Sequence, residues 1–143
     1  MDEFRFYALG EDFNVDAFAA NCSLEPSYIW RKGEVKRYSC VGTPYPSSGI
    51  EFRLGNEAKC TFPAQQALAV AFIKQHREAL SELSAFPGVT HCTLGLQYDA
   101  KFEANVVGFS MSASKELMSL LVEVGFNLTH YVSLERESEA NDA

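Results

Sequence analysis

The sequence lacks the features that would dictate a chemistry or a membrane location. No apolar run approaches the roughly 18 residues that a membrane-spanning helix needs, and no HExxH, GxSxG or P-loop pattern occurs. The amino-terminal MDEFRF begins with acidic residues and runs into an alternating pattern, which is typical of neither a signal peptide nor a transit peptide. We therefore expect no membrane partner, and no residue is identified as catalytic.

Paired cysteines and an excess of positive charge are also absent. The chain has 12 Lys and Arg against 19 Asp and Glu, a net charge of −7, which opposes binding to nucleic-acid phosphates. Its cysteines are widely spaced, without the C-x-x-C pairs of zinc sites. We predict no metal, no cofactor and, since no export signal is seen, a cytoplasmic protein with four reduced thiols: Cys22, Cys40, Cys60 and Cys92.

What the sequence does contain is enough apolar material for one core. Apolar residues make up 47% of the 143 residues and aromatic residues 13%, which is typical of a single globular domain. We predict one domain over residues 4–135 and a disordered acidic tail over residues 136–143.

Hydrophobic periodicity predicts an alternation of strands and helices. Asn14 is a plausible helix cap, Pro63 suits a first helical turn, and Gly125 followed by Phe126 is typical of a helix end. In chain order the predicted elements are strand 4–9, helix 11–22, a hairpin over 28–38 that turns at Lys32-Gly33, strand 49–55, helix 63–84, strands 90–99 and 105–112, a helix within 112–126 and strand 127–135.

This order predicts the α+β class rather than a parallel doubly wound sheet. Because the helices are amphipathic and the strands alternate, we expect helices on one face of a mainly antiparallel sheet and an open opposite face. The best match is a ferredoxin-like sandwich with an added hairpin.

The segments GEDFNVDAF, LEPSYIWRKGE and FSMSASKELMSLLVEVGFNLTHYV resemble a bacterial family, domain-of-unknown-function family 4279. The positions that match its motif are Pro26, Trp30, Lys32 and Gly33. The resemblance implies a compact α+β domain and an immunity or accessory role in a bacterial system. It implies no catalytic residue.

The hairpin is the first candidate binding site. It holds the only tryptophan and four cations within seven positions: Trp30, Arg31, Lys32, Lys36 and Arg37. An exposed Trp beside cations would suit recognition of a partner, whereas a packed Trp with solvated cations would be structural. We favour packing for Trp30 and leave the role of the cations open.

The open face of the sheet is the second candidate. If Phe4, Phe6, Ile50 and Phe52 point inward, period-2 alternation places a polar and aromatic set on the other face. That set could bind a ligand or a second copy of the chain, or simply face water. Its candidate binding residues are Arg5, Tyr7, Arg53, His91, Gln97 and Tyr131.

Histidines, thiols and carboxylates give no local catalytic pattern. His76 and His130 lie beside apolar positions and are predicted to be packed, although a nucleophilic pair with Cys22 or Cys92 stays an alternative, since such pairs assemble in space. The leading hypothesis is a non-enzymatic module that binds a protein partner. The alternatives are a small-ligand or enzymatic site under the loop GTPYPSSG and a homodimer formed through the sheet face.

Overall fold

The computed structural model describes residues 4–55, 61–102 and 112–136, with side chains over 4–55, 61–97 and 112–132. Strands and helices alternate along the chain. In order they are β1 (Arg5–Gly10), α1 (Val15–Asn21), β2 (Tyr28–Trp30), β3 (Ser48–Arg53), α2 (Phe62–Ala85), β4 (His91–Phe102), α3 (Lys115–Val124) and β5 (Asn127–Arg136).

The strands form one mixed sheet in the order β2-β3-β1-β4-β5. The β1–β3, β1–β4 and β2–β3 pairs are antiparallel, and only β4 and β5 are parallel. A parallel pair needs a crossover connection, and helix α3 lies in it. The α+β class and the mainly antiparallel sheet are therefore confirmed.

The core lies between one face of this sheet and the helices. Alternate residues of β1, β3 and β4 are buried there, and every helix contributes side chains to the same cluster. Phe6, at the centre, stacks on Phe72 with ring centroids 5.1 Å apart and meets Phe126 edge-on at 5.5 Å. The inward direction predicted for Phe4, Phe6, Ile50 and Phe52 is thus correct, since one buried face fixes the direction of every second side chain. Val132, which the same alternation places inward on β5, is instead 39% exposed.

Local signals place the helix ends. The side chain of Asn14 accepts a hydrogen bond from the backbone of Ala17, and Ser114 caps α3 in the same way. Gly125 ends α3 in the left-handed conformation at φ +81°, and its N–H donates to the carbonyls of Leu121 and Val122. The predictions for Asn14 and Gly125 are confirmed.

The hairpin is longer than predicted. The chain does turn at Lys32-Gly33, where the N–H of Glu34 donates to the carbonyl of Arg31 at 3.1 Å, but this turn does not close the hairpin. Tyr28–Trp30 pairs with Gly49–Glu51 of β3, not with the segment after Gly33. Further out, Lys36 N donates to the carbonyl of Thr43 at 2.8 Å, so residues 37–42 form the tip. A hairpin closed at Lys32-Gly33 would pair Trp30 with the segment after Gly33, whereas in the structure Trp30 pairs with Gly49 of β3.

The ends of two predicted elements also need correction or lie outside the described residues. Strand β4 continues to Phe102, beyond the end at residue 99 that was predicted. The predicted strand 105–112 lies outside the described residues except at its last position. The predicted tail also lies outside them except for Arg136, which belongs to β5.

Candidate functional site

An aromatic cluster forms the base of the hairpin. The indole of Trp30 is 8% exposed and lies between the rings of Tyr28 and Tyr45, with centroids 6.1 and 6.0 Å away. Its other contact is the backbone of Gly49 in β3. Trp30 is therefore a packed residue, as the sequence analysis favoured, and does not itself reach a partner.

The first two cations of the hairpin are used within the chain. Arg31 donates two hydrogen bonds to the carboxylate of Asp16 in α1, at 2.9 and 2.7 Å. These bonds raise the pKa of Arg31 and lower the pKa of Asp16. Lys32 Nζ lies 2.9 Å from the carboxylate of Glu11. The first pair holds the hairpin against α1, and the second holds it against the segment that joins β1 to α1.

The last two cations are exposed at the hairpin tip and pair with no carboxylate among the described side chains. They line a groove of about 390 Å³ between the two limbs of the tip, which has no acidic residue in its wall. We call it the tip groove, and its lining residues are Lys36, Arg37, Tyr38, Ser39, Thr43 and Tyr45.

Arg37 is held in place by tyrosines. Its guanidinium carbon lies 4.8 Å from the ring centre of Tyr28 and 5.4 Å from that of Tyr38. Its backbone N–H donates to the hydroxyl of Tyr45 at 3.2 Å, and that hydroxyl lies 3.3 Å from the hydroxyl of Tyr28. This second contact is the main reason that the pKa of Tyr28 is raised.

Three exposed apolar or aromatic side chains lie on the outer part of the hairpin, and one of them, Tyr38, lines the tip groove. Val35 is 59% exposed, Tyr38 68% and Val41 88%. Each lies within a few residues of the two exposed cations. The hairpin tip therefore presents apolar and cationic groups together on a protein whose net charge is −7.

The candidate sheet face contains an ion network that the sequence analysis did not predict. Glu51, 2% exposed, pairs with Arg5 and with Arg53, whose Nε lies 3.2 Å away. Arg5 also lies over the ring of Tyr7 at 4.7 Å, and the hydroxyl of Tyr7 is 3.1 Å from that of Tyr131. The alternation that identified Arg53 also applies to Glu51, which could have been found in the same way.

Of the other two predicted residues of the sheet face, Gln97 is the register partner of Tyr131 in the β4–β5 pair. His91 lies at the end of β4, where its Nδ1 is 2.9 Å from the hydroxyl of Thr90. The backbone of Gln97 is bound by the side chain of Gln65 in α2, at 2.6 Å and 2.9 Å. The contacts of the described residues thus connect Arg5, Tyr7, Arg53 and Tyr131, and the sheet register places Gln97 beside Tyr131.

Groups suited to catalysis are dispersed over the described part of the chain. His76 contacts the ring of Phe72, and the ring of His130 meets that of Phe62 edge-on. The Nε2 atom of His130 is buried and has no hydrogen-bond partner among the described residues. Burial raises the pKa of the Cys92 thiol to about 11, which disfavours the nucleophilic thiolate. No three metal-ligating side chains come together among the described residues.

Comparison with known proteins gave no match among protein-family models, curated proteins or solved structures. The resemblance to the bacterial family 4279 therefore stays a prediction from Pro26, Trp30, Lys32 and Gly33. Of the helices that the structure describes, none is long and apolar enough to cross a membrane.

Proposed function

We propose that this protein is a non-enzymatic binding module that contacts a protein partner through the tip of its hairpin. The observation that carries the proposal is the combination, at the outer end of one hairpin, of exposed apolar side chains with two cations that pair with no carboxylate among the described side chains. Val35, Tyr38 and Val41 supply apolar and aromatic area, and Lys36 and Arg37 supply charge. Aromatic residues and Arg are the types that contribute most binding energy at protein interfaces.

The same tip is firmly attached to the domain, which favours a contact role over a merely soluble loop. Trp30, Tyr28 and Tyr45 pack at its base, while Arg31 and Lys32 bind carboxylates outside the hairpin. A contact element that is already ordered loses less conformational entropy on binding. Single exposed apolar residues need no explanation, but three within seven positions, beside cations, indicate a contact surface.

The sheet face is the less favoured surface. Glu51 already neutralises charge on Arg5 and Arg53, and Tyr7 and Tyr131 hydrogen-bond to each other. A small-ligand or enzymatic site built on this face would also need His91, which lies apart from them. A homodimer through the face remains an alternative that the mass in solution would decide: light scattering at about 16 kDa would exclude it.

The proposal includes three finer expectations from the sequence. These are a ferredoxin-like arrangement of the sheet and helices, a cytoplasmic location, and an immunity or accessory role in a bacterial system. The role is supported by the resemblance of the motif around Trp30, and the location by the widely spaced thiols.

Photo-crosslinking in cells that naturally make the protein would test the contact surface. The photoreactive residue p-benzoylphenylalanine would replace Val41 at the tip or, as a matched control, Val122 on α3, which is 81% exposed. We expect one discrete heterologous product from position 41 and none from position 122. Equal products from both positions, or none from the tip, would contradict the proposal.

A further inference from the structure

Arg37 differs from the other arginines whose side chains the structure describes. Arg5 and Arg53 share Glu51, Arg31 binds Asp16, and Arg77 lies 3.6 Å from Glu123. Arg37 is exposed and has no carboxylate within the same limit among the side chains that the structure describes. Its guanidinium lies beside Tyr38, which is 68% exposed.

The guanidinium of Arg37 is also preorganised. Its Cζ atom lies 4.8 and 5.4 Å from the centres of two tyrosine rings, so contacts with both rings restrict the side chain. The spacing of guanidinium N–H donors matches the two oxygens of a carboxylate. Little side-chain freedom then remains to be lost when an anion binds.

We infer that the tip groove binds an acidic side chain of the partner protein, with Arg37 as the bidentate donor and Lys36 as a second charge. The neighbouring apolar residues of the partner segment would lie on the ring of Tyr38, which lines the groove and is 68% exposed. This inference rests on the proposed function and names the chemistry of the partner: an acidic segment with interspersed apolar residues.

The net charge of the protein alone would suggest a basic partner. At physiological ionic strength, however, exposed charges more than about 8 Å apart are largely screened from each other. The charge that decides contact is therefore the local one, and the groove wall contains two cations and no acid. A contact at the tip consequently selects an anionic group even though the protein as a whole is negative.

An acidic protein segment fits the tip better than a nucleic acid does. A phosphate backbone is bound by a series of cations, and each neutralised phosphate contributes to affinity. Arg31 and Lys32, the next cations along the hairpin, are already neutralised by Asp16 and Glu11. Two cations beside Tyr38 and Tyr45 provide one anion site next to aromatic rings, which suits a peptide.

The test is an NMR titration of the full isotope-labelled chain with two capped tetrapeptides. One has the sequence Glu-Leu-Glu-Leu and the other Lys-Leu-Lys-Leu. We expect the acidic peptide, with millimolar affinity, to shift the side-chain Nε–Hε signal of Arg37 and the backbone signals of residues 36–43. The basic peptide should shift neither.

Matched variants separate the geometry of Arg37 from its charge. Arg37→Gln should weaken binding of the acidic peptide at least tenfold, while Arg77→Gln, which removes the same charge from α2, should change it less than twofold. Arg37→Lys keeps the charge but loses the planar donor pair, so we expect a several-fold loss. An unchanged Trp30 emission would show that each variant keeps the packed hairpin base.

The outcomes distinguish this inference from the proposed function. A discrete cross-link at position 41 together with no response of Arg37 to the acidic peptide would overturn the acidic specificity and leave the contact surface standing. Equal binding by Arg37→Gln and wild type would place the peptide elsewhere and overturn the inference. Tighter binding of a phosphoserine peptide, or of single-stranded DNA, would overturn the choice of a carboxylate.

Discussion

The indole of Trp30 lies directly over Gly49, its partner across the β2–β3 pair. A Cβ atom placed on Gly49 would lie 2.0 Å from Cζ2 of the indole, far inside van der Waals contact. The absence of a side chain at position 49 is therefore what allows the hairpin base to pack on the edge of the sheet.

Gly49→Ala should consequently displace the indole. We expect a red shift of the Trp30 emission and a loss of about 1–3 kcal/mol in the free energy of unfolding, the usual range for overpacking. Fluorescence and urea denaturation would measure both effects. Gly55→Ala is the matched control, because a Cβ there lies 3.8 Å from Phe4, an ordinary contact. Equal behaviour of the two variants would contradict the packing of Trp30 on Gly49.

The buried carboxylate of Glu51 provides the second prediction. Glu51→Gln leaves Arg5 and Arg53 without their shared counter-charge, and both arginines are partly shielded from water. Because the arginines keep some exposure, we expect a loss of about 2–3 kcal/mol in unfolding free energy, below the value for a fully buried pair. Denaturant titration would measure this loss.

A surface pair gives the control for Glu51. Glu123 faces Arg77 at 3.6 Å, and both side chains are about half exposed. Glu123→Gln should change stability by less than about 0.5 kcal/mol. If Glu51→Gln were equally mild, the network would contribute little to the sheet face, and Arg53 would then be a better candidate for partner contact.

Local features of the fold were predictable from the sequence, and distant pairings were not. Asn14 and Gly125 act through backbone groups a few residues away, and alternation of Phe4 and Phe6 depends only on the pleat of one strand. The partner of Tyr28–Trp30 is about twenty residues distant. It depends on packing between Trp30 and Gly49, which no local pattern contains.

The candidate site shows the same limit. Arg31 and Arg37 are equivalent in the sequence, both cations beside aromatic residues of one hairpin. Only the fold brings Asp16 to the first and leaves the second against Tyr28. The composition therefore located the hairpin as a candidate, and the three-dimensional arrangement selected its tip.

Two adjacent glutamines make the same kind of hydrogen bonds at different depths, so they allow the effect of burial to be measured. Gln65 binds both the N–H and the C=O of Gln97, beyond the last residue of β4 that pairs with β1. Gln66 binds the carbonyl of Ser112 and the N–H of Ser114 in the same manner, but closer to solvent. Each side chain thus substitutes for a backbone partner.

Replacement of each glutamine by leucine should lower the free energy of unfolding by different amounts. Gln65 is 4% exposed, so Gln65→Leu leaves buried backbone groups unsatisfied and should cost about 1–3 kcal/mol in unfolding free energy. Gln66→Leu should cost under about 1 kcal/mol, because water can replace its bonds. Parallel urea titrations would compare the two variants. A larger effect at Gln66 would contradict this ordering.

The pair of Arg31 with Asp16 should give the hairpin an acid-sensitive attachment. The pKa of Asp16 is held below its ordinary value of 3.8, first by hydrogen bonds from Arg31. A lowered carboxylate pKa means that the contact is complete above pH 3.8 and is lost as pH falls through the lowered value. The Nε–Hε signal of Arg31 should report this transition, and Asp16→Asn should abolish it.

Proteolysis would test the same attachment at neutral pH. Asp16→Asn should speed tryptic cleavage after Arg31, because the first strand of the hairpin is then no longer held on α1. Cleavage after Arg37 at the tip should be unchanged. Mass spectrometry of the early fragments would read both sites in one sample. Equal acceleration at both sites would indicate that the variant loosens the whole hairpin rather than its attachment.

Burial of the Cys92 thiol predicts how the stability of the protein depends on alkaline pH. Desolvation raises the pKa of its thiol from 9.0 to about 11, because the buried site disfavours the thiolate. A raised folded-state pKa means that its contribution to stability is complete below pH 9 and is lost as pH rises towards 11. The free energy of unfolding should therefore fall more steeply over this range in wild type than in Cys92→Ala.

Alkylation gives an independent measure of the same thiol. At pH 8 iodoacetamide should modify the exposed Cys40 rapidly and Cys92 only when the fold opens, because the reactive species is the thiolate. Urea below the unfolding midpoint should accelerate modification of Cys92 and leave that of Cys40 nearly constant. Rapid modification of Cys92 in the native protein would contradict its burial and would make it a candidate nucleophile.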